Sequence, residues 1–276
     1  TGGTLHLDGV DFTQPGRRNG REFRRRVQMI FQDPYSSLDP RMTVGEMLVE
    51  AMTVHGILQH GRREAEAIRT LDLVGLSARD LHRYPHQFSG GQRQRIAIAR
   101  ALSVRPEVLI NDEVTSALDV SVQATILNLL RDLQKELQLS YVFISHDLST
   151  VRYMSDDVAV MYLGRIVEAA PTDELFARPD HPYSQALINS VPQLRAERKG
   201  APLSGDLPDP RRPPVGCRFH TRCPVGPVAN PERTVCLERD PDLDRVEKEH
   251  LASCHFAPPT AQPSQPSAAA AGQERS

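Results

Sequence analysis

The chain has 276 residues, 39% of them hydrophobic and 25% charged, with a net charge of −2. That is enough for one large domain and a smaller one, and the near-neutral balance argues against nucleic acid as a partner. No apolar run approaches the roughly 20 residues of a membrane-spanning helix, no secretory signal is visible, and the basic side chains are almost all Arg, the lysines being Lys135, Lys199 and Lys248.

Residues 1–12 alternate weakly around Gly2, Gly3 and Gly9 and read as an edge strand or hairpin. The polar, Arg-rich stretch 14–26 reads as a loop entering a short helix. Residues 27–31 form an apolar run expected to be a buried strand, ended by Gln32-Asp33-Pro34 because Pro cannot continue a ladder. Residues 44–81 are helical in pattern. Short apolar runs at 108–110 and 141–144 flank a segment, 122–137, whose Ile126, Leu129, Leu130, Leu133 and Leu137 recur at the helical period. Strand–helix–strand at this spacing predicts an α/β fold with a parallel sheet. A hairpin is expected over 158–168 around Gly164. Beyond about residue 192, Pro becomes frequent and all four cysteines appear, which marks a second, smaller module. The Ala/Pro/Gln/Ser-rich residues 258–276 read as a disordered tail.

Several short motifs carry chemistry. Ser89-Gly90-Gly91-Gln92 precedes a helical pattern, and free N–H groups at such a helix start suit a phosphate. Taken alone it reads equally well as an N-capped helix after a turn. Val108-Leu109-Ile110-Asn111-Asp112-Glu113 is a strand ending in two carboxylates, where one can hold Mg²⁺ and the next can polarise water. Alone it also reads as a solvated acidic turn. Ser145-His146-Asp147 follows the next strand. A His at that place can donate to a phosphate, although a lone His is more often a surface residue.

The order of these motifs is the specific signal. Gln32 after a strand, then Ser-Gly-Gly-Gln, the strand with Asp-Glu, Ser116-Ala117-Leu118-Asp119 and Ser-His-Asp together resemble the ABC ATPase family over roughly residues 4–169. The resemblance implies an ABC-type P-loop NTPase domain with a helical subdomain, using ATP and Mg²⁺. It implies Gln32 as the Q-loop glutamine that couples to a transmembrane subunit. Ser89, Gly90, Gly91 and Gln92 become the signature that presses on the γ-phosphate held by an opposite subunit. Asp112 becomes the Mg²⁺ ligand, Glu113 the catalytic base, Asp119 the D-loop residue at the dimer seam, and His146 the switch histidine. Val114 stands where the family normally has Pro, and Asn111 where a small residue is usual.

A Walker A loop, Gly-x-x-x-x-Gly-Lys-Ser/Thr, cradles the phosphates in such proteins. No Lys precedes Lys135, so no such loop lies ahead of the signature within these residues, and the resemblance places it before Thr1. The expectation is an N-terminally incomplete domain with negligible ATPase activity on its own, sheet edges unpaired and core faces exposed.

Two stretches narrow the family. Residues 178–187, with His181-Pro182-Tyr183, and residues 31–42 resemble ATP-binding subunits of oligopeptide, dipeptide and nickel importers. By itself the first reads as a Pro-initiated surface helix with no catalytic role for His181. The resemblance implies a second ATP-binding subunit, two permease subunits and, indirectly, a peptide-binding protein, with the chain at the cytoplasmic face of the membrane. A non-catalytic subunit that only lends its signature to a partner is the alternative. An ATPase of DNA maintenance is disfavoured, because no long heptad arms are visible.

Cys217, Cys223, Cys236 and Cys254 are spaced C-x5-C-x12-C-x17-C, without a C-x2-C knuckle. Four thiolates can hold zinc or an iron–sulfur cluster, or they can simply be buried thiols. Some importers of this subfamily carry a [4Fe-4S] cluster in a matching region, and the resemblance favours that group over Zn²⁺, with His220 and His255 as bystanders. The expected organisation is an ATPase domain over 1–170, a His-Pro-Tyr helical segment over 171–199, a Cys-rich module over 200–257 and a tail over 258–276.

Overall fold

The computed structural model describes residues 3–13, 16–33, 37–57, 62–190, 205–245 and 249–257. The expected tail, Pro34-Tyr35-Ser36 and the end of the His-Pro-Tyr segment lie outside them. Two compact units are present, Thr1–Asp147 and Leu148–Ser276.

In the first unit, β1 (His6–Leu7) and β2 (Val10–Asp11) form the expected hairpin. Asp8 and Gly9 both take positive φ, 49° and 76°, as the tight two-residue turn requires. Helix α1 (Arg17–Arg26) leads into β3 (Val27–Ile30). Phe23 of α1 meets the buried Phe12 at 5.3 Å between ring centroids. Arg26 is clamped between Asp8 and Glu107.

The helical stretch expected over 44–81 is broken. It comprises α2 (Val44–Val54), α3 (Arg63–Leu73) and a 3₁₀ turn at Ala78–His82. Thr43 and Glu46 start α2 with a reciprocal capping box, which satisfies two of the donors that a helix start leaves orphaned. Helix α4 (Gly90–Leu102) precedes β4 (Val108–Asp112), α5 (Val120–Leu137) and β5 (Ser140–Ile144).

Strands β3, β4 and β5 form a parallel sheet in that order, as their apolar runs predict. Register divides its residues between two faces. Ile30, Leu109 and Asn111 lie on the buried face, where the Tyr141 hydroxyl donates to the Leu130 carbonyl of α5 at 2.8 Å. Burial pushes that phenol well above its usual range. Ile126, Leu130 and Leu133 of α5 are buried as expected, whereas Leu137 is exposed. On the opposite face Met29, Val142 and Ile144 remain 37–51% exposed, so nothing among the described residues seals it.

The second unit begins with α6 (Leu148–Met154), then a hairpin of β6 (Asp157–Tyr162) and β7 (Arg165–Pro171), followed by α7 (Thr172–Ala177) and α8 (Pro182–Ser190). Further on lie α9 (Val235–Glu238), β8 (Asp244–Arg245) and β9 (Leu251–Ala252). The sheet order is β6-β7-β9-β8. Because β7 pairs with β9, the hairpin and the cysteine-bearing residues share one body, and the boundary expected at residue 170 falls inside it.

Candidate functional site

The three parallel strands of the first unit end side by side, and each runs into a residue singled out from sequence. Gln32 follows β3, Asp112 and Glu113 end β4, and His146 follows β5. Parallel sheets bind ligands off this carboxyl edge. Gln32 is exposed there, and Asp112 is partly exposed.

Glu113 leaves the ladder in a left-handed conformation, φ 48°. Its N–H donates to the Ile144 carbonyl at 2.9 Å, and its own carbonyl accepts from the Ser116 N–H and hydroxyl, both at 3.0 Å. So fixed, its carboxylate Oε1 lies 2.8 Å from His146 Nδ1. The imidazole is 74% exposed and the carboxylate 26%, so the pair can be reached from solvent. Val114 follows with 1% exposure and points into the core. Asn111 is fully buried, and among the described residues neither atom of its amide has a hydrogen-bond partner.

The Ser89-Gly90-Gly91-Gln92 motif opens α4. Ser89 caps it, accepting from the Gln92 N–H at 3.4 Å, while Gln92 Oε1 accepts from the Ser89 N–H at 3.0 Å. The expected N-cap is present, and a contact that the sequence does not reveal holds the loop. The buried Arg93 donates to the carbonyls of Pro85 at 2.7 Å and His86 at 3.3 Å, tying α4 to the segment before it. Gly91 has a steric reason as well, whereas Gly90 makes only ordinary contact. A Cβ on Gly91 would stand 2.5 Å from Val122 Cγ1, and one on Gly90 would stand 3.7 Å from Leu118 Cδ2. The start of α5 therefore lies directly against the signature. Asp119 caps α5, accepting from the Ser121 hydroxyl at 2.7 Å and the Val122 N–H at 3.0 Å, which holds its carboxyl below the usual range.

With this geometry in place, comparison with known proteins decides the family. The ABC transporter family matches residues 1–116, and the oligopeptide/dipeptide transporter C-terminal region matches residues 167–229. The oligopeptide transport ATP-binding protein AppF of Bacillus subtilis is 45% identical over 261 residues, 93% of this chain and 78% of AppF. This chain belongs to the ABC transporter ATP-binding proteins. The di/tripeptide transport ATP-binding protein DppF of Pseudomonas aeruginosa is 44% identical over 93% of the chain and 78% of that protein. Among solved structures, cbiO1 of Clostridium perfringens, part of an ABC transporter complex, aligns with a TM-score of 0.56 at 29% identity. That alignment covers 62% of this chain and 67% of cbiO1. The ATP-binding cassette MJ0796, in a dimer bound to ADP and Pi, aligns with a TM-score of 0.54 at 27% identity, covering 62% of this chain and 74% of that one. ABC ATPases use ATP and Mg²⁺, and the strand-end carboxylates Asp112 and Glu113 suit such a ligand in kind. No described helix of this family member is long and apolar enough to cross a membrane.

The second unit of this ABC protein holds two features off the nucleotide edge. The first corrects the expectation of a surface helix at the His-Pro-Tyr segment. His181 is 1% exposed, and its ring packs 5.7 Å from Phe219. The carboxylate of Glu168, fully buried on β7, accepts from the N–H groups of Asp180 at 2.6 Å and His181 at 3.1 Å, and meets His250 Nε2 at 2.6 Å. His250 Nδ1 lies 3.7 Å from Asp180 Oδ2. Burial pushes the His181 imidazole down to about 4, so its Nδ1 accepts from the Tyr183 N–H at 3.1 Å.

The second feature is the set of four free cysteines, three buried and Cys254 half-buried. Burial pushes their thiols up, Cys217 to about 12. Backbone N–H groups oppose this: that of Phe219 on Cys217, those of Val225 and Gly226 on Cys223, and those of Phe256 and Ala257 on Cys254. Gly216 takes φ 73° because a Cβ there would strike the Cys236 carbonyl at 2.5 Å, and this close approach lets the Cys217 N–H donate to that carbonyl. His220 and His255 bond backbone carbonyls instead. Among the described residues no group of three or more His, Cys, Asp or Glu side chains is placed to hold a single metal ion. The donor set suits a soft metal group in chemistry and in its N–H···S bonds, while its spacing does not form a ready tetrahedral ion site.

Proposed function

We propose that this chain forms most of an ATP-hydrolysing subunit that drives import of oligopeptides or dipeptides from the cytoplasmic face of the membrane. The observation that carries the reading is the 2.8 Å bond between Glu113 and His146 at adjacent strand ends. In this reading Glu113 accepts a proton from the attacking water, and His146 fixes the Glu113 carboxylate and reaches the γ-phosphate. Asp112 holds Mg²⁺, and ATP supplies the transferable phosphoryl group when bound. Residues 89–92 act on nucleotide held by a second ATP-binding subunit. Two permease subunits complete the assembly, and a peptide-binding protein delivers cargo. The cleft of about 410 Å³ lined by Phe31, the residue before Gln32, with Glu50 and Arg100 among others, is where the reading seats a permease segment.

The phosphate cradle is assigned to sequence preceding residue 1. Two observations support this: no Lys precedes Lys135, and the relatives extend beyond the matched region. The apolar sheet face carrying Met29, Val142 and Ile144 is the surface that segment would cover. The test is to express the complete reading frame and the 276 residues separately and to measure Mg²⁺-ATP turnover. Turnover by the longer protein alone is expected. A full frame without Gly-x-x-x-x-Gly-Lys-Ser/Thr, and without turnover, would replace this reading with that of a subunit that only lends its signature.

For the second unit, we propose that Cys217, Cys223, Cys236 and Cys254 hold a [4Fe-4S] cluster rather than Zn²⁺. The charges of the other three thiols act on Cys217, and four thiolates are a donor set for such a group. Iron and acid-labile sulfide assayed on anaerobically purified protein decide it. Stoichiometric zinc without iron would sink the cluster.

A further inference from the structure

Arg233 is half-buried in the cysteine module, and nothing in the sequence marks it out. Its Nη1 donates to the Val225 carbonyl at 2.6 Å, two residues past Cys223. Its guanidinium carbon lies 4.1 Å from the ring centroid of Phe256, two residues past Cys254. The Phe256 N–H in turn bonds Cys254 Sγ at 3.4 Å. Its own carbonyl accepts from the Cys236 N–H at 3.4 Å. One side chain thus touches the segments carrying Cys223 and Cys254, while its backbone holds the turn carrying Cys236.

We propose that Arg233 is the positioning and charge-balancing residue of the cysteine site, a fixed cation that ties three thiol-bearing segments around a negatively charged thiolate-held group. The inference rests on the four-cysteine reading given above. Four thiolates around a cluster leave net negative charge in a half-buried place, and a cation held there by stacking and a hydrogen bond cannot simply swing away. Arg suits the role better than Lys, since its planar fork stacks on Phe256 and still donates in the ring's plane.

The test uses the complete subunit, purified and reconstituted without oxygen, as wild type and as Arg233→Gln, Arg233→Lys and Phe256→Leu. Arg233→Gln keeps a donor for Val225 but removes the charge. It should lose iron to a chelator several-fold faster and show a lower midpoint potential, on the order of a tenfold shift in the one-electron equilibrium, or about 59 mV. Arg233→Lys should recover the potential but only part of the chelator resistance. Phe256→Leu, which frees the guanidinium while keeping an apolar side chain, should move both readouts in the same direction by less. Wild-type potential and iron retention in Arg233→Gln would overturn the inference and leave the cluster standing. Equal damage from Lys and Gln would reduce Arg233 to packing and overturn the charge role. A wild-type protein that takes up no iron would sink the cluster and this inference together.

Discussion

His146 Nδ1 and Glu113 Oε1 stand 2.8 Å apart although 33 residues separate them in sequence. Adjacent parallel strands deliver them, and the Glu113 backbone is pinned to the His146 strand by its bond to the Ile144 carbonyl. The pair forms one unit, so removing either member should have nearly the same consequence. In the complete subunit, Glu113→Gln and His146→Ala should each lower kcat by about 10²–10⁴-fold with little change in KM for ATP. Steady-state phosphate release measures this. A His146→Ala variant with wild-type kcat would break the link.

Gly91 and Val122 form a second contact with a clear steric sign. Gly91→Ala places a methyl 2.5 Å from Val122 Cγ1, an overlap expected to cost about 1–3 kcal/mol. Truncating the neighbour makes room, so Gly91→Ala with Val122→Ala should recover more than half of the loss. Thermal unfolding of the four members of the double-mutant cycle gives the coupling. Additive losses would show that the α5 start is not what constrains the signature.

The buried contact of Glu168, His250 and Asp180 predicts a large and local effect. Replacing one member of a buried, hydrogen-bonded set leaves its partners unsatisfied, typically at about 1–3 kcal/mol. Glu168→Gln also replaces one of the two oxygens that separately receive the Asp180 and His181 N–H groups. Hydrogen exchange should rise over β7, residues 178–190 and β9, while β3, β4 and β5 keep their protection.

His181 supplies a pH dependence. Its imidazole titrates near 4 in the folded chain against about 6.5 when unfolded. The unfolded state therefore binds the proton first as pH falls, so stability is full above about 6.5 and declines toward pH 4. The span corresponds to about 3 kcal/mol. His181→Asn, which can keep an acceptor for the Tyr183 N–H, should flatten the melting-temperature profile between those pH values.

Asn111 predicts a gain. Its amide is fully buried without a partner among the described residues, a burden of about 1–3 kcal/mol. Asn111→Val, suited to a central strand, should raise the unfolding midpoint in denaturant and leave its slope unchanged.

The strand-end edge of the first unit is legible because its parts are local. Residues 27–31, 108–110 and 141–144 announce themselves as strands, and their ends name Gln32, Asp112, Glu113 and His146 directly. The signature could be recognised from four residues, but Arg93 and Val122, which hold it, are ordinary in sequence and acquire a role only when α4 and α5 pack. Burial of His181 could not be read, since it depends on Glu168 and on His250, 82 residues from Glu168. Arg233 looked like any other Arg in a chain rich in them. The broken helix over 44–81 was hidden because apolar period alone does not mark where Gly56 and Gly75, both at positive φ, end each piece.

Glu113 holds its left-handed φ of 48° at a cost of roughly 1–3 kcal/mol. Glycine would remove that strain and the chemistry with it. With Glu113 in the role proposed above, loss of hydrolysis at this position is downhill in folding energy: a lineage relieved of selection for turnover would drift toward sturdier, silent subunits. Directed evolution of this protein for heat resistance alone should accept glycine at Glu113, as at the left-handed Arg105, Gln138 and Leu163.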